Sequence, residues 1–404
     1  MKVLFCSLAS PGFLYPCMGI ALELKKRGHT SRFVIGQSFG DELGRNGLLR
    51  IPRGPQDGPS FDVFNWAKPL AVAIQFKHIA YAVQLFQPDI LVAQPLVLSA
   101  LLAKERFGMP LAQIGFATYL WPPQDASYSK FSPETAERKR WRYSDTLRLH
   151  NDVRALLRME PVSDHDEALL VRDLFMVRSV PELEHDFENL PDCVHLAGAC
   201  LWESESPDPA LESWLNDPQH QGKPLIYVQQ GRFFQAPNFW PKLVEGLSCL
   251  DVRVAASTER MDCETGPVGP NFYIRPCVPQ SRVLNHAQAA VFSGNSTAVL
   301  GALSAAVPSL LIPAGGEQPD VAERVAESGA ARILQPDEAT PERLCSEIEI
   351  LLNDQPMKQA AARISTALKR VDSFSLAADM LEILAAKRAP VTRREQLLAM
   401  ASMA

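Results

Sequence analysis

Short apolar runs alternate with longer helical patterns twice along this 404-residue chain, and that repeated alternation constrains its fold more than any other feature. In the first half Val3-Leu4-Phe5-Cys6, Arg32-Phe33-Val34-Ile35, Asp89-Ile90-Leu91-Val92 and the run from Leu111 to Gly115 read as strands. Helical patterns over about 16–27, 66–86 and 97–107 fill the gaps, the first ended by Gly28-His29. The second half restarts with Leu225-Ile226-Tyr227-Val228, then 252–256, 272–274, 290–292 and 310–312, with helices between them. Helices over about 340–352, 356–370 and 375–387 close it. Strands separated by helices run parallel, with helices on both faces. The expected class is therefore α/β, with two doubly wound domains. The domains predicted are 1–203 and 223–388, joined by an acidic, proline-rich linker over 204–222 with one short helix around Trp214, and followed by a tail over 389–404. Ligands of such sheets lie at the carboxyl ends of the strands, here in the cleft between the domains.

The bulk numbers exclude several classes. A chain of 404 residues exceeds what one hydrophobic core usually serves. A formal net charge of -6 argues against a nucleic-acid partner, which would need a basic face. No segment approaches the ~18 uninterrupted apolar residues of a membrane span, and the opening MKVLFCSLASPGF reads as a first strand rather than a secretory leader. Eight cysteines without CxxC spacing predict neither a zinc site nor a disulfide framework, but free thiols in a reducing cytoplasm. The charged helical stretch 134–159 reads as a solvated face.

Residues 289–308, AAVFSGNSTAVLGALSAAVP, run from an apolar strand through Ser, Gly, Asn and Thr into an Ala/Leu-rich helix. Small polar residues at a strand-to-helix turn offer backbone N–H groups and a helix dipole to an anion. This turn carries no positive charge of its own. An ordinary capped helix would also use Ser, Asn and Thr; the flanking motifs favour a ligand site. Cys277-Val278-Pro279-Gln280 precedes the turn, and Glu317-Gln318-Pro319-Asp320, Glu323-Arg324-Val325 and Ser328-Gly329 follow it.

That ordered series resembles the donor-binding half of the GT-B nucleotide-sugar glycosyltransferases, whose pattern runs V-P-Q, H-G-G-x-G-T, A-L-x-x-G-V-P, D-Q-x-x-N-A-x-x-V and a late Gly. In the first half, SPGFLYPCMGIALELKKRGH is similar to the family's G-H-x-x-P and L-A-x-x-L-x-x-R-G-H, and FQPDILVAQPLVLSALLAKERFGMP to its P-D-x-x-V and G-x-P. The resemblance implies two Rossmann-like domains facing across a cleft, the first binding an acceptor and the second a UDP- or dTDP-sugar. It implies inversion at the anomeric carbon, no cofactor and no metal; no DxD-type motif lies in a plausible loop. It gives Val278 and Gln280 contacts to nucleobase and ribose. Ser293, Gly294, Asn295, Ser296 and Thr297 would meet the diphosphate, and Glu317 and Gln318 the sugar hydroxyls.

Three departures stand out. The family's diphosphate-binding His falls on Ser293 and its second Gly on Asn295. The loop Gln230-Gly231-Arg232 replaces an F-G-S or S-G-T, and either Arg232 supplies the charge missing from the turn or it is a surface arginine. The catalytic His falls on Phe13, after Gly12, and the carboxylate that orients it falls on Gln94, so both members of the dyad are absent. The catalytic residue is then unknown: the acceptor is itself nucleophilic (thiol, phenol, nitrogen or carbon), another group such as Asp62, His78, Asp125 or His150 is the base, or the protein is silent. Phe13, Phe61, Phe64, Trp66 and Trp121 are candidates for an aromatic acceptor pocket, though packing alone would also explain them. The leading expectation is transfer of a sugar to a small molecule, such as a natural product. A silent homologue serving a partner protein is the alternative, and a GT-B sugar-nucleotide epimerase ranks last. Whether the chain forms a homodimer stays open.

Overall fold

In a computed structural model of the protein, residues 1–54, 57–120, 132–163, 169, 173–184, 187, 190–204, 207–231, 238–261 and 263–394 are described. The chain forms two compact units, Met1–Trp202 with Val371–Ala404, and Glu203–Arg370. The first holds β1 (Lys2–Cys6), β2 (Thr30–Val34), β3 (Leu49–Arg50), β4 (Ile90–Ala93), β5 (Leu111–Gly115), β6 (Leu174–Val177) and β7 (Val194–Leu196). They make one parallel sheet in the order β3-β2-β1-β4-β5-β6-β7. Its helices are α1 (Pro11–Lys26), α2 (Gly40–Arg45), α3 (Pro69–Phe86), α4 (Leu98–Phe107) and α5 (Pro133–Leu156). Alternate residues of β1 serve opposite faces, as the strand period of two requires. Leu4 and Cys6 join the core shared with Val72, Ile79 and Leu102, while Val3 and Phe5 join the core shared with Leu14, Ile20 and Leu381. Burial on both sides is why these strands read as unbroken apolar runs.

The second unit holds β8 (Leu225–Gln229), β9 (Arg253–Ser257), β10 (Phe272–Arg275), β11 (Ala289–Phe292), β12 (Ser309–Leu311) and β13 (Ala331–Ile333), parallel in the order β10-β9-β8-β11-β12-β13. Its helices are α6 (Pro209–Leu215), α7 (Phe239–Ser248), α8 (Gln280–Leu284), α9 (Ser296–Ser304), α10 (Gln318–Glu327), α11 (Pro341–Asn353) and α12 (Gln355–Lys369). In each sheet the strand order reverses once, between β1 and β4 and between β8 and β11. Loops diverge there and open a crevice at the carboxyl ends.

Several expectations are corrected. The last helix, α13 (Ser373–Lys387), belongs to the first unit, not to the domain 223–388. It packs on α1, where a Cβ on Gly19 would lie 2.2 Å from the Phe374 ring, and Arg27 Nη1 binds Asp379 at 2.5 Å. The segment read as a linker is part of the second unit: α6 carries Trp214, whose Nε1 donates to Pro270 O at 3.0 Å beside the Tyr273 ring. The short strands β3, β6, β7 and β13 were not anticipated. Cys249 and Cys345 form a disulfide, because α7 and α11 pack side by side. Helix α5 is more than a solvated face, since buried Arg154 on it pairs with Glu105 at 2.5 Å. Among the described residues no helix is long and apolar enough to cross a membrane.

Candidate functional site

In the second unit two loops meet at the point of reversal. Beyond β8 come Gln230 and Gly231, the latter at φ +76°; beyond β11 come Ser293, Gly294 at φ +85° and Asn295. A Cβ on Gly231 would lie 3.5 Å from Asn295 Nδ2 and 3.9 Å from Ser293 Oγ, so the loops face each other at contact distance. A Cβ on Gly294 would lie 2.9 Å from the Gln318 carbonyl, so the start of α10 closes the other side and only glycine fits. Asn295 caps α9, its Oδ1 accepting the Ala298 N–H at 3.0 Å. Ser296 and Thr297 occupy the first turn, where backbone N–H groups point out of the helix end.

The polar atoms in this corner are unusual. Ser293 Oγ and both carboxamide atoms of Gln230 are buried with no hydrogen-bond partner among the described residues. Each such atom costs about 1–3 kcal/mol when left without a partner, and three on two facing loops call for a polar partner. Gln230 was read from the sequence only as a loop residue. Its burial gave no signal there, because its neighbours Gln229 and Gly231 are also polar or small. Gln318 is committed to the loop, its Oε1 accepting from the N–H groups of Ala314 at 2.9 Å and Gly315 at 3.3 Å. Glu317 beside it is partly exposed. Val278 is buried, and the Gln280 side chain lies against α9, with Nε2 2.6 Å from where a Cβ on Gly301 would stand. The Gln280 backbone N–H, with that of Ser281, is held by the Glu203 carboxylate at 2.8 and 3.0 Å. Arg232 lies outside the described residues.

In the first unit the two positions of the lost dyad are neighbours. Gln94 follows β4, and its Nε2 donates to the Phe13 carbonyl at 2.7 Å and to Cys17 Sγ at 2.8 Å. Its Oε1 is buried without a partner. Gly12 and Phe13 lie in the first turn of α1, and the Phe13 ring packs, with Trp66, on the core beneath. Burial pushes the Cys17 thiol up to about 12, so it is no thiolate at neutral pH.

The remaining acceptor candidates separate. Phe61 is a core residue, 1% exposed and edge-on to His78, which corrects its reading as pocket lining. His78 is buried with Nε2 on the Ile51 carbonyl at 2.8 Å, and burial lowers its pKa. His150 is likewise buried, its pKa lowered to about 4 by desolvation and by Arg154. Neither histidine is placed as a base. Asp62 accepts the Phe64 N–H at 3.0 Å, and the pairing of Ala9 N–H with Phe61 O at 2.8 Å sets this segment beside the β1–α1 loop. Phe64 is exposed. Trp121 and Asp125 lie outside the described residues.

Two successive parallel sheets of this order, each with polar groups gathered where its strand order reverses, have the architecture of the GT-B glycosyltransferases. Residues 242–371 match the family described as Erythromycin biosynthesis protein CIII-like, C-terminal domain. The chain is 24% identical to 4'-demethylrebeccamycin synthase of Lentzea aerocolonigenes, over 94% of this chain and 99% of that protein. Among solved structures it is similar to the glycotransferase of kitacinnamycin (TM-score 0.73, 21% identity, 96% of this chain and 99% of that one). It is also similar to the glycosyltransferase VinC, determined in complex with dTDP (TM-score 0.67, 17% identity, 96% and 100% covered). The protein is a glycosyltransferase of GT-B fold, similar to natural-product glycosyltransferases.

Proposed function

We propose that this protein transfers a sugar from a UDP- or dTDP-sugar to a small natural-product acceptor, with inversion and without a metal. The observation that carries this reading is the pair of buried donors without a partner among the described residues, Ser293 Oγ and Gln230 Nε2, on the two loops that face each other beside the first turn of α9. The oxygens of a diphosphate accept from both donors, the Ser293 hydroxyl and the Gln230 NH2 group. The arrangement also answers the absence of a cation in the turn, because the helix end acts as roughly half a positive charge and directed neutral donors in a dry crevice hold phosphate oxygens strongly. Such donors stabilise the departing diphosphate as the C–O bond to the sugar breaks. The dTDP complex of VinC supports a thymidine diphosphate donor, and the names of the relatives support a natural-product acceptor. With Phe13 and Gln94 in the dyad positions, the acceptor attacks through an atom that is nucleophilic without a strong base: a thiol, phenol, nitrogen or carbon centre.

A second reading, a silent homologue that serves a partner protein, is favoured by those same two residues. Calorimetric titration with dTDP and UDP separates the two. Binding by the wild type, weakened about tenfold in Ser293→Ala, is expected of the transferase; no binding of either nucleotide would sink it.

A further inference from the structure

Beyond β9 the backbone at Glu259 turns into the left-handed region, at φ +59°. A side chain there costs about 1–3 kcal/mol that glycine would avoid. The carboxylate held there has specific partners. Oε1 accepts from Gln229 Nε2 at 2.7 Å and from Ser257 Oγ at 3.3 Å. Gln229 is itself oriented by the Tyr227 hydroxyl, which donates to its Oε1 at 3.2 Å. The Glu259 N–H donates to the Pro276 carbonyl at 2.9 Å, which ties it to the loop that leads into Cys277 and Val278. One carboxylate oxygen is thus fixed by two donors; among the described residues, Oε2 meets none.

The placement has a general meaning in parallel α/β units. In dinucleotide-binding units an acidic residue after the strand that follows the phosphate loop takes a hydroxyl of the nucleoside pentose; here the loop after β8 faces the start of α9 where the diphosphate is proposed to sit. Gly231 stands in that loop, and Glu259 follows the next strand. The two follow adjacent strands of the sheet, which run about 5 Å apart where they pair. Building on the donor reading above, we propose that Glu259 anchors the donor's pentose, its free Oε2 accepting a hydrogen bond from a ring hydroxyl while Gln229 and Ser257 hold Oε1. Gln229 and Ser257 are positioning residues for that contact.

The test is calorimetry on the full chain, wild type, Glu259→Gln and Glu259→Gly, with UDP, its 2'-deoxy and 3'-deoxy analogues, and inorganic pyrophosphate. Hydrogen bonds to charged groups predict that UDP binds roughly ten- to a hundredfold more weakly to both variants, while pyrophosphate, which has no pentose, is unaffected. One deoxy analogue should be weak with the wild type and indifferent to Glu259→Gln, and it names the hydroxyl. Glu259→Gly, freed of the left-handed constraint, should melt no lower than the wild type, which shows that the variant folds. The proposal is overturned if Glu259→Gln binds UDP as tightly as the wild type, or if neither hydroxyl matters. A wild type that binds none of UDP, dTDP and pyrophosphate would instead overturn the donor reading, and this one with it.

Discussion

The two points of strand reversal are built on one plan and filled with opposite chemistry. Each gathers a strand end, a helix start and a buried glutamine. In the second unit the helix start is small and polar, with Ser293, Gly294 and Asn295, and the Gln230 carboxamide has no partner among the described residues. In the first unit the helix start presents the Phe13 ring, and Gln94 spends its N–H groups on the Phe13 carbonyl and Cys17, leaving one bare oxygen. An anion fits the second crevice. The first can accept a hydrogen bond and offer an apolar face, but it cannot take up a proton. The difference teaches that one plan of strand reversal can carry unpartnered polar groups in one unit and an apolar ring beside a hydrogen-bonded glutamine in the other.

The largest effect should come from restoring the family's dyad. Phe13→His combined with Gln94→Asp puts an imidazole beside a carboxylate, and turnover of alkyl alcohol acceptors should rise by about 10²–10⁴. Unchanged turnover in a folded double variant would mean that the acceptor does not sit at the first reversal. Next in size is a pH effect confined to the first unit. His150 takes its proton near pH 4 when folded but near 6.5 when unfolded, so the unfolded state gains protons first as pH falls. Stability present at pH 7 is therefore lost between about 6.5 and 4, on the order of 3 kcal/mol for this residue, with His78 adding in the same direction. Urea unfolding of wild type and His150→Gln at pH 7 and pH 5 checks it, the variant losing less.

Gly294→Ala tests the second crevice. The new methyl meets the Gln318 carbonyl and the backbone is held at φ +85°, so the turn must shift. Nucleotide affinity should fall by roughly tenfold or more, from about 1–3 kcal/mol of strain, with turnover falling in step. Gln230→Met should show the opposite signs in stability and binding: the unfolding free energy rises by about 1 kcal/mol as dry polar atoms are removed, while nucleotide binding weakens. The smallest effect concerns the join between chain ends. Asp379→Ala leaves the partly buried Arg27 without its closest carboxylate, and the melting midpoint should fall by an amount equivalent to about 1 kcal/mol, with nucleotide affinity unchanged.

Much of the fold was legible because parallel strands buried on both faces leave continuous apolar runs, as in Val3 to Cys6 and Ala289 to Phe292. The strands that escaped notice are of two or three residues, like Leu49–Arg50 and Ala331–Ile333, or lie among charged neighbours, like Leu174–Val177. In the site, the facing of Gly231 and Ser293 followed from motif order, since loops at the same end of adjacent strands must meet. What periodicity does not encode is where a side chain turns. Gln280 under Gly301, Phe61 in the core and the left-handed backbone at Glu259 are all decided by packing between distant segments. The return of α13 to the first unit was equally invisible, because its pattern is that of any buried helix.

That return also sets an order of events during synthesis. The first unit has its sheet strands early, but the apolar face that Leu376, Ala377, Met380 and Leu381 cover stays open until α13 leaves the ribosome. At about 5–20 residues per second, translating the roughly 170 intervening residues takes on the order of 10–30 s. The second unit can fold inside that interval, whereas the first must wait. A nascent chain stalled before Val371 would therefore offer an unfinished hydrophobic surface on α1 to whatever chaperone stands at the tunnel exit.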